Sequence, residues 1–161
     1  MVRGFWRVFA ALWVLVAASG HATSPSIRVR LLAEVERKSV EGGREIVKLA
    51  PADRVVPGDE VIYTVEVRNT GSSDVVAPLI VRPVPTHMRL LGDSATGPGA
   101  EVTYSIDGGR VFDRAENLTT VGSDHRPRRA TAGDYTHIRW QLKSTLKPKS
   151  VAYARFRALV K

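Results

Sequence analysis

The stretch RVVPGDEVIYTVEVRNTGSSD, Arg54 to Asp74, decides the fold class of this 161-residue chain. In VPGD, Val56 to Asp59, proline at the second position and glycine at the third meet the needs of a type II turn, whose third residue takes positive φ. Beyond the turn, Val61, Tyr63, Val65 and Val67 alternate with Ile62, Thr64, Glu66 and Arg68. This period of two, rich in β-branched and aromatic residues, predicts a strand with one apolar face. NTGSSD, Asn69 to Asp74, then returns the chain. The acids of the stretch therefore belong to turns and to a strand's outer face. Glu60 and Glu66 stand six residues apart, about 20 Å along a strand, too far to share a proton or a metal.

The same alternation recurs on both sides. In SIRVRLLAEVER, Ile27, Val29, Leu31, Ala33 and Val35 oppose Arg28, Arg30, Glu34 and Glu36. EIVKL follows a Gly42-Gly43 turn. VVAPLIVRPVP is a strand that Pro78, Pro83 and Pro85 confine to an edge. HMRLL is short, and EVTYSI and RVF flank DGG as a hairpin. In DYTHIRWQL, Thr136, Ile138, Trp140 and Leu142 share a face opposite Tyr135, His137, Arg139, Gln141 and Lys143. VAYARFRALV buries Ala154, Phe156, Ala158 and Val160 and presents Arg155 and Arg157. Eight or nine short strands separated by turn signals predict an all-β fold, an antiparallel immunoglobulin-like β-sandwich. The expected organisation is a helical signal peptide over 1–22 and a single domain over 23–161. An irregular loop at about 113–133 lacks usable periodicity.

Charge and cysteine usage narrow the class further. The first segment carries Arg3 and Arg7, eleven apolar residues from Val8 to Ala18, then Gly20 and Ala22. This is the layout of a secretory signal cleaved after Ala22. The apolar run is well short of the roughly 20 residues that span a bilayer, so no stable transmembrane span is expected after cleavage. The chain is then exported: periplasmic, on the cell surface or secreted. Cysteine is absent, which excludes disulfides and thiolate chemistry. The formal charge is +8, and it concentrates at the end: residues 126–161 hold ten basic residues against Asp134 alone. Arg126, Arg128, Arg129, Arg139, Lys143, Arg155 and Arg157 are the candidate partner-binding residues. If the two last strands pair, Arg139, Lys143, Arg155 and Arg157 form one cationic face suited to a glycan, an anionic surface or an acidic envelope protein. Nucleic acid is not expected, because no stacking aromatics stand among these arginines.

Catalytic and metal chemistry find little support. His87, His125 and His137 are scattered, with neither a G-x-S-x-G elbow nor an H-E-x-x-H pair. Asp53, Asp59, Asp93, Asp107 and Asp134 lack the D-x-D-x-D-G spacing of a calcium loop. No catalytic residue, metal or cofactor is expected. SIDGGRVF, Ser105 to Phe112, is similar to the Asp-box hairpin of sialidases and other propellers, in which the aspartate braces a turn.

Taken together, VVPGDEVIYTVEVRNTGSSDV, RPVPTHMRLLGDSATGPGAEVTYSIDGG and DYTHIRW resemble the conserved repeat domain of bacterial surface proteins catalogued as domain of unknown function number eleven. The match runs from about Val55 to Trp140. The resemblance implies an immunoglobulin-like module of the cell envelope, with no catalytic residues to carry over. Arg82 stands where that family usually has an acid, and Lys149 where it commonly has glycine. The expected function is an exported, non-catalytic structural or interaction module of the bacterial cell envelope. Two alternatives remain: a carbohydrate- or calcium-binding module, and a subunit that completes its sheet with a partner's strand at an edge near Val81.

Overall fold

The computed structural model describes residues 27–161, and the expected signal peptide lies outside them. Ten strands run through the described residues: β1 (Ile27–Glu41), β2 (Arg44–Pro51), β3 (Glu60–Asn69), β4 (Leu79–Pro83), β5 (Met88–Leu90), β6 (Ala100–Ser105), β7 (Thr119–Val121), β8 (Pro127–Arg129), β9 (His137–Leu142) and β10 (Val151–Val160). A single 3₁₀ turn, Ala115–Asn117, precedes β7. The all-β, antiparallel expectation holds: every strand pair is antiparallel. The strands form a five-stranded sheet ordered β2-β1-β3-β10-β5, a three-stranded sheet ordered β4-β9-β6, and the small hairpin β7-β8.

β3, the strand inside the opening stretch, lies at the centre of the larger sheet. Its VPGD turn forms as the residue types demand, with Gly58 at φ +95° and the Asp59 amide donating to the Val56 carbonyl at 3.0 Å. The Asp59 carboxylate accepts from the Val56 amide. The Gly42-Gly43 pair, both at positive φ, closes the β1–β2 hairpin with Glu41 opposite Arg44.

One core joins the two larger sheets. Val61, Tyr63, Val65 and Val67 of β3 and Ala154, Phe156 and Ala158 of β10 meet Ile80, Tyr104, Ile138, Trp140 and Leu142 of the other sheet. Phe156 sits at the junction, stacked on Tyr63 at 4.8 Å and tilted against Trp140 at 6.1 Å. The outer face of β3 departs from simple alternation, since Ile62 and Thr64 are buried as well. The cause is the flanking strands: Arg155 of β10 donates to the Thr64 hydroxyl, and Arg157 crosses to Glu60 and Glu36. Long basic side chains lay their apolar stems over the sheet while their charged heads stay in water.

Two local readings change. Arg110–Phe112 is no strand; β6 pairs with β9 instead, and the chain after the DGG turn meets the β6 backbone at a single bridge between Tyr104 and Asp113. The aperiodic segment 113–133 contains the 3₁₀ turn and the β7–β8 hairpin, whose three-residue strands are too short to show a period.

Candidate functional site

The seven basic candidates do not converge. Arg139 lies on β9 and Arg155 and Arg157 on β10, but these strands belong to different sheets and do not pair. Both turn their apolar residues into the shared core, so their arginines point away from each other across the molecule. The single cationic face expected from the sequence is therefore corrected. Succession in sequence does not make β9 and β10 neighbours, because residues 143–150 carry the chain from one sheet to the other.

Several of the cations also have local work. Arg139 sits 4.7 Å over the Phe112 ring and donates to the Thr103 hydroxyl at 2.9 Å. Arg157 bonds both Glu60 and Glu36. Arg128 forks onto Asp134 at 2.8 and 2.7 Å, and with the Thr131 amide and hydroxyl it holds that carboxyl well below the usual carboxylate range. Arg126, Arg129 and Lys143 are exposed.

The carboxylates are equally committed. Asp107 accepts from the Ser105 hydroxyl at 2.6 Å and from the Arg110 and Val111 amides, and these bonds lower its pKa. It braces the turn, as the Asp-box likeness implies. Glu66 bonds Arg68, and Glu60 bonds Arg157. Among the described residues, no three histidine, aspartate or glutamate side chains gather closely enough to hold a metal ion.

The feature that alternation did not reveal is an uncovered flank. The apolar face of β1 points inward, as the sequence predicts, with Ile27, Val29 and Leu31 opposite Asn69, Val67 and Val65 of β3. Yet these three side chains remain 40%, 48% and 41% exposed, whereas Val35 further along the same face is buried. The three-stranded sheet ends at β4 and stops short of them. Between β1 and β4 lies an open groove of about 390 Å³, lined by Ile27, Val29, Val67, Val75, Leu79 and Ile80 among others.

Backbone pairing is incomplete along both walls. β2 pairs with β1 only from Glu34 onward, and the Ala52 amide makes the last bond, to the Ala33 carbonyl. In an antiparallel ladder a residue turns its N–H and C=O to the same side, and the next residue turns them to the other. Ala33 faces the β2 side, so Leu31, Val29 and Ile27 do too, and no described strand lies there. Flanking β4, the Pro78 carbonyl accepts from Leu142 of β9 and the Val84 amide donates to Thr136 just before β9, which leaves Leu79 and Val81 facing the open edge. Val81 is thus on an edge strand, as the sequence suggested. A scan of protein families, curated proteins and solved structures finds no match to this chain.

Proposed function

We propose that this chain is an exported, non-catalytic interaction module of the bacterial cell envelope, built as an immunoglobulin-like β-sandwich. The basic, apolar and small-residue order of residues 1–22 supports export to the periplasm, the cell surface or the medium. The two sheets around one core, with β3 central, support the sandwich. The observation that carries the interaction role is the uncovered flank, where large apolar side chains of β1 and β4 line one groove beside unpaired strand edges. A contiguous exposed apolar surface of this kind marks a contact site rather than ordinary surface.

Fractionation of cells expressing the full chain tests this reading. The expected product begins at Thr23 by mass and is found with the periplasm, the envelope or the medium. Recovery of unprocessed protein in the cytoplasm contradicts it. A second reading, completion of the sheet by a partner's strand, is favoured by the same open edges and is developed next.

A further inference from the structure

We propose that the free edge of β1, from Ile27 to Leu31, pairs with an extended strand of a partner protein whose residues alternate apolar and acidic. This rests on the reading of the chain as an envelope interaction module and names its mode of contact.

Of the two open edges, β4 is the blunted one. It is five residues long, Pro83 has no N–H to offer, and Arg82 stands on the same face as inward Ile80. Short length, proline and an inward charge are devices that keep edges from pairing. The β1 edge has none of them. Ile27, Val29 and Leu31 offer three consecutive outward-facing N–H and C=O sets with no proline among them, and the Ile27 and Val29 side chains already line the groove. A strand laid there would continue the line of β2, and its inward residues would roof the groove.

Charge selects the occupant. On the outer face, Arg28 and Arg30 are exposed, and among the described residues neither has a hydrogen-bond or ion-pair partner. Glu66 stands opposite Arg30 in register, but it is bonded to Arg68 at 3.2 Å. An incoming strand places its outward residues beside Arg28 and Arg30, where acids attract and cations repel. A second copy of the chain is thereby disfavoured, because pairing β1 with β1 sets arginine beside arginine. Residues 1–26 hold no acid at all and cannot meet the two arginines either. A partner segment of alternating aliphatic and acidic residues satisfies the backbone, the groove and the charges together.

The test uses the protein recovered from full-length expression and a fluorescent nine-residue peptide of alternating valine and glutamate, with a valine-lysine peptide as control. Anisotropy is expected to report saturable binding of the glutamate peptide, weakened by salt, with the lysine peptide at least about tenfold weaker. Val29→Pro deletes an N–H that faces the edge and takes no part in the β3 ladder, so it should abolish binding while leaving the thermal midpoint nearly unchanged. The pair Arg28→Glu with Arg30→Glu should invert the peptide preference without touching the backbone, which keeps the idea testable if the proline variant misfolds. Equal binding of both peptides, or binding indifferent to both variants, overturns the proposal. So does self-association through β1 detected by sedimentation, or an edge already occupied by residues 1–26. Failure of the peptide with the protein still in the envelope fraction removes only the strand pairing; cytoplasmic recovery removes the envelope reading itself.

Discussion

At the scale of single residues, Asn69 shows how much a turn signal can conceal. The sequence marks it only as the start of NTGSSD, yet it is fully buried. Its side-chain amide donates to the Ser73 and Leu146 carbonyls at 2.8 and 2.9 Å, and its oxygen accepts from the Gly71 amide at 3.0 Å. The same residue thus ties the β3 turn to the loop before β10. Asn69→Ala leaves these groups unpaired in a buried site and should cost about 2–3 kcal/mol in urea denaturation. Lys149 poses the opposite case. It sits at φ +65°, in the left-handed region that an L side chain adopts at a cost. Lys149→Gly should stabilise the fold by about 0.5–1 kcal/mol, the relieved strain exceeding the added freedom of the unfolded chain. In the sequence Lys149 reads only as one more basic residue, and Asn69's burial depends on Leu146, 77 residues away, so no local pattern encodes it.

At the scale of elements, the strands with strong alternation were legible and the short ones were not. β3, β9 and β10 bury the residues their period assigns to the core, except Val160 at the end of β10, which is half-buried, because both neighbours and the facing sheet are present to cover the rest. β1 follows the same rule in direction but not in burial. Its period correctly turns Ile27, Val29 and Leu31 inward, while their cover depends on a strand the described chain does not place there. β7 and β8 escaped notice because their order comes from specific bonds rather than from alternation. One of these bonds makes the β8 region acid-sensitive. Arg128 and Thr131 depress the Asp134 carboxyl pKa, whereas an unfolded aspartate titrates near about 4. A depressed carboxylate contributes stability that is fully present above the unfolded value and is lost as pH falls through the folded one. Protection factors at Thr131 and Ala130, which divide out the intrinsic pH dependence of exchange, should therefore fall below about pH 4 and stay flat from about pH 5 to 8. Asp134→Asn should remove that acid dependence; persistence of the dependence in the variant would show that another group is responsible.

At the scale of the molecule, the two larger sheets are held together through Trp140 and Phe156, and the topology that unites them also separates the charges. Trp140 is completely buried, but among the described residues its indole N–H has no hydrogen-bond partner. Trp140→Ala should cost about 3–5 kcal/mol, and Trp140→Phe distinctly less, since it removes an unsatisfied donor along with the lost volume. Coincident unfolding followed by tyrosine fluorescence and by far-ultraviolet dichroism would check that both sheets melt as one unit. Placing β9 and β10 in different sheets disperses the C-terminal cations that composition made conspicuous. The same arrangement leaves the N-terminal half of β1 as an exposed apolar element with unpaired backbone. The distinction was invisible in sequence because it depends on how far β2 and β4 reach, not on what β1 contains. The central claim is that this edge receives a strand, and millisecond hydrogen exchange with and without the valine-glutamate peptide tests it most directly. Protection gained at Ile27, Val29 and Leu31, with Leu79 and Val81 unchanged, is the predicted result. Protection at Leu79 and Val81 instead, or at none of the five, would contradict it.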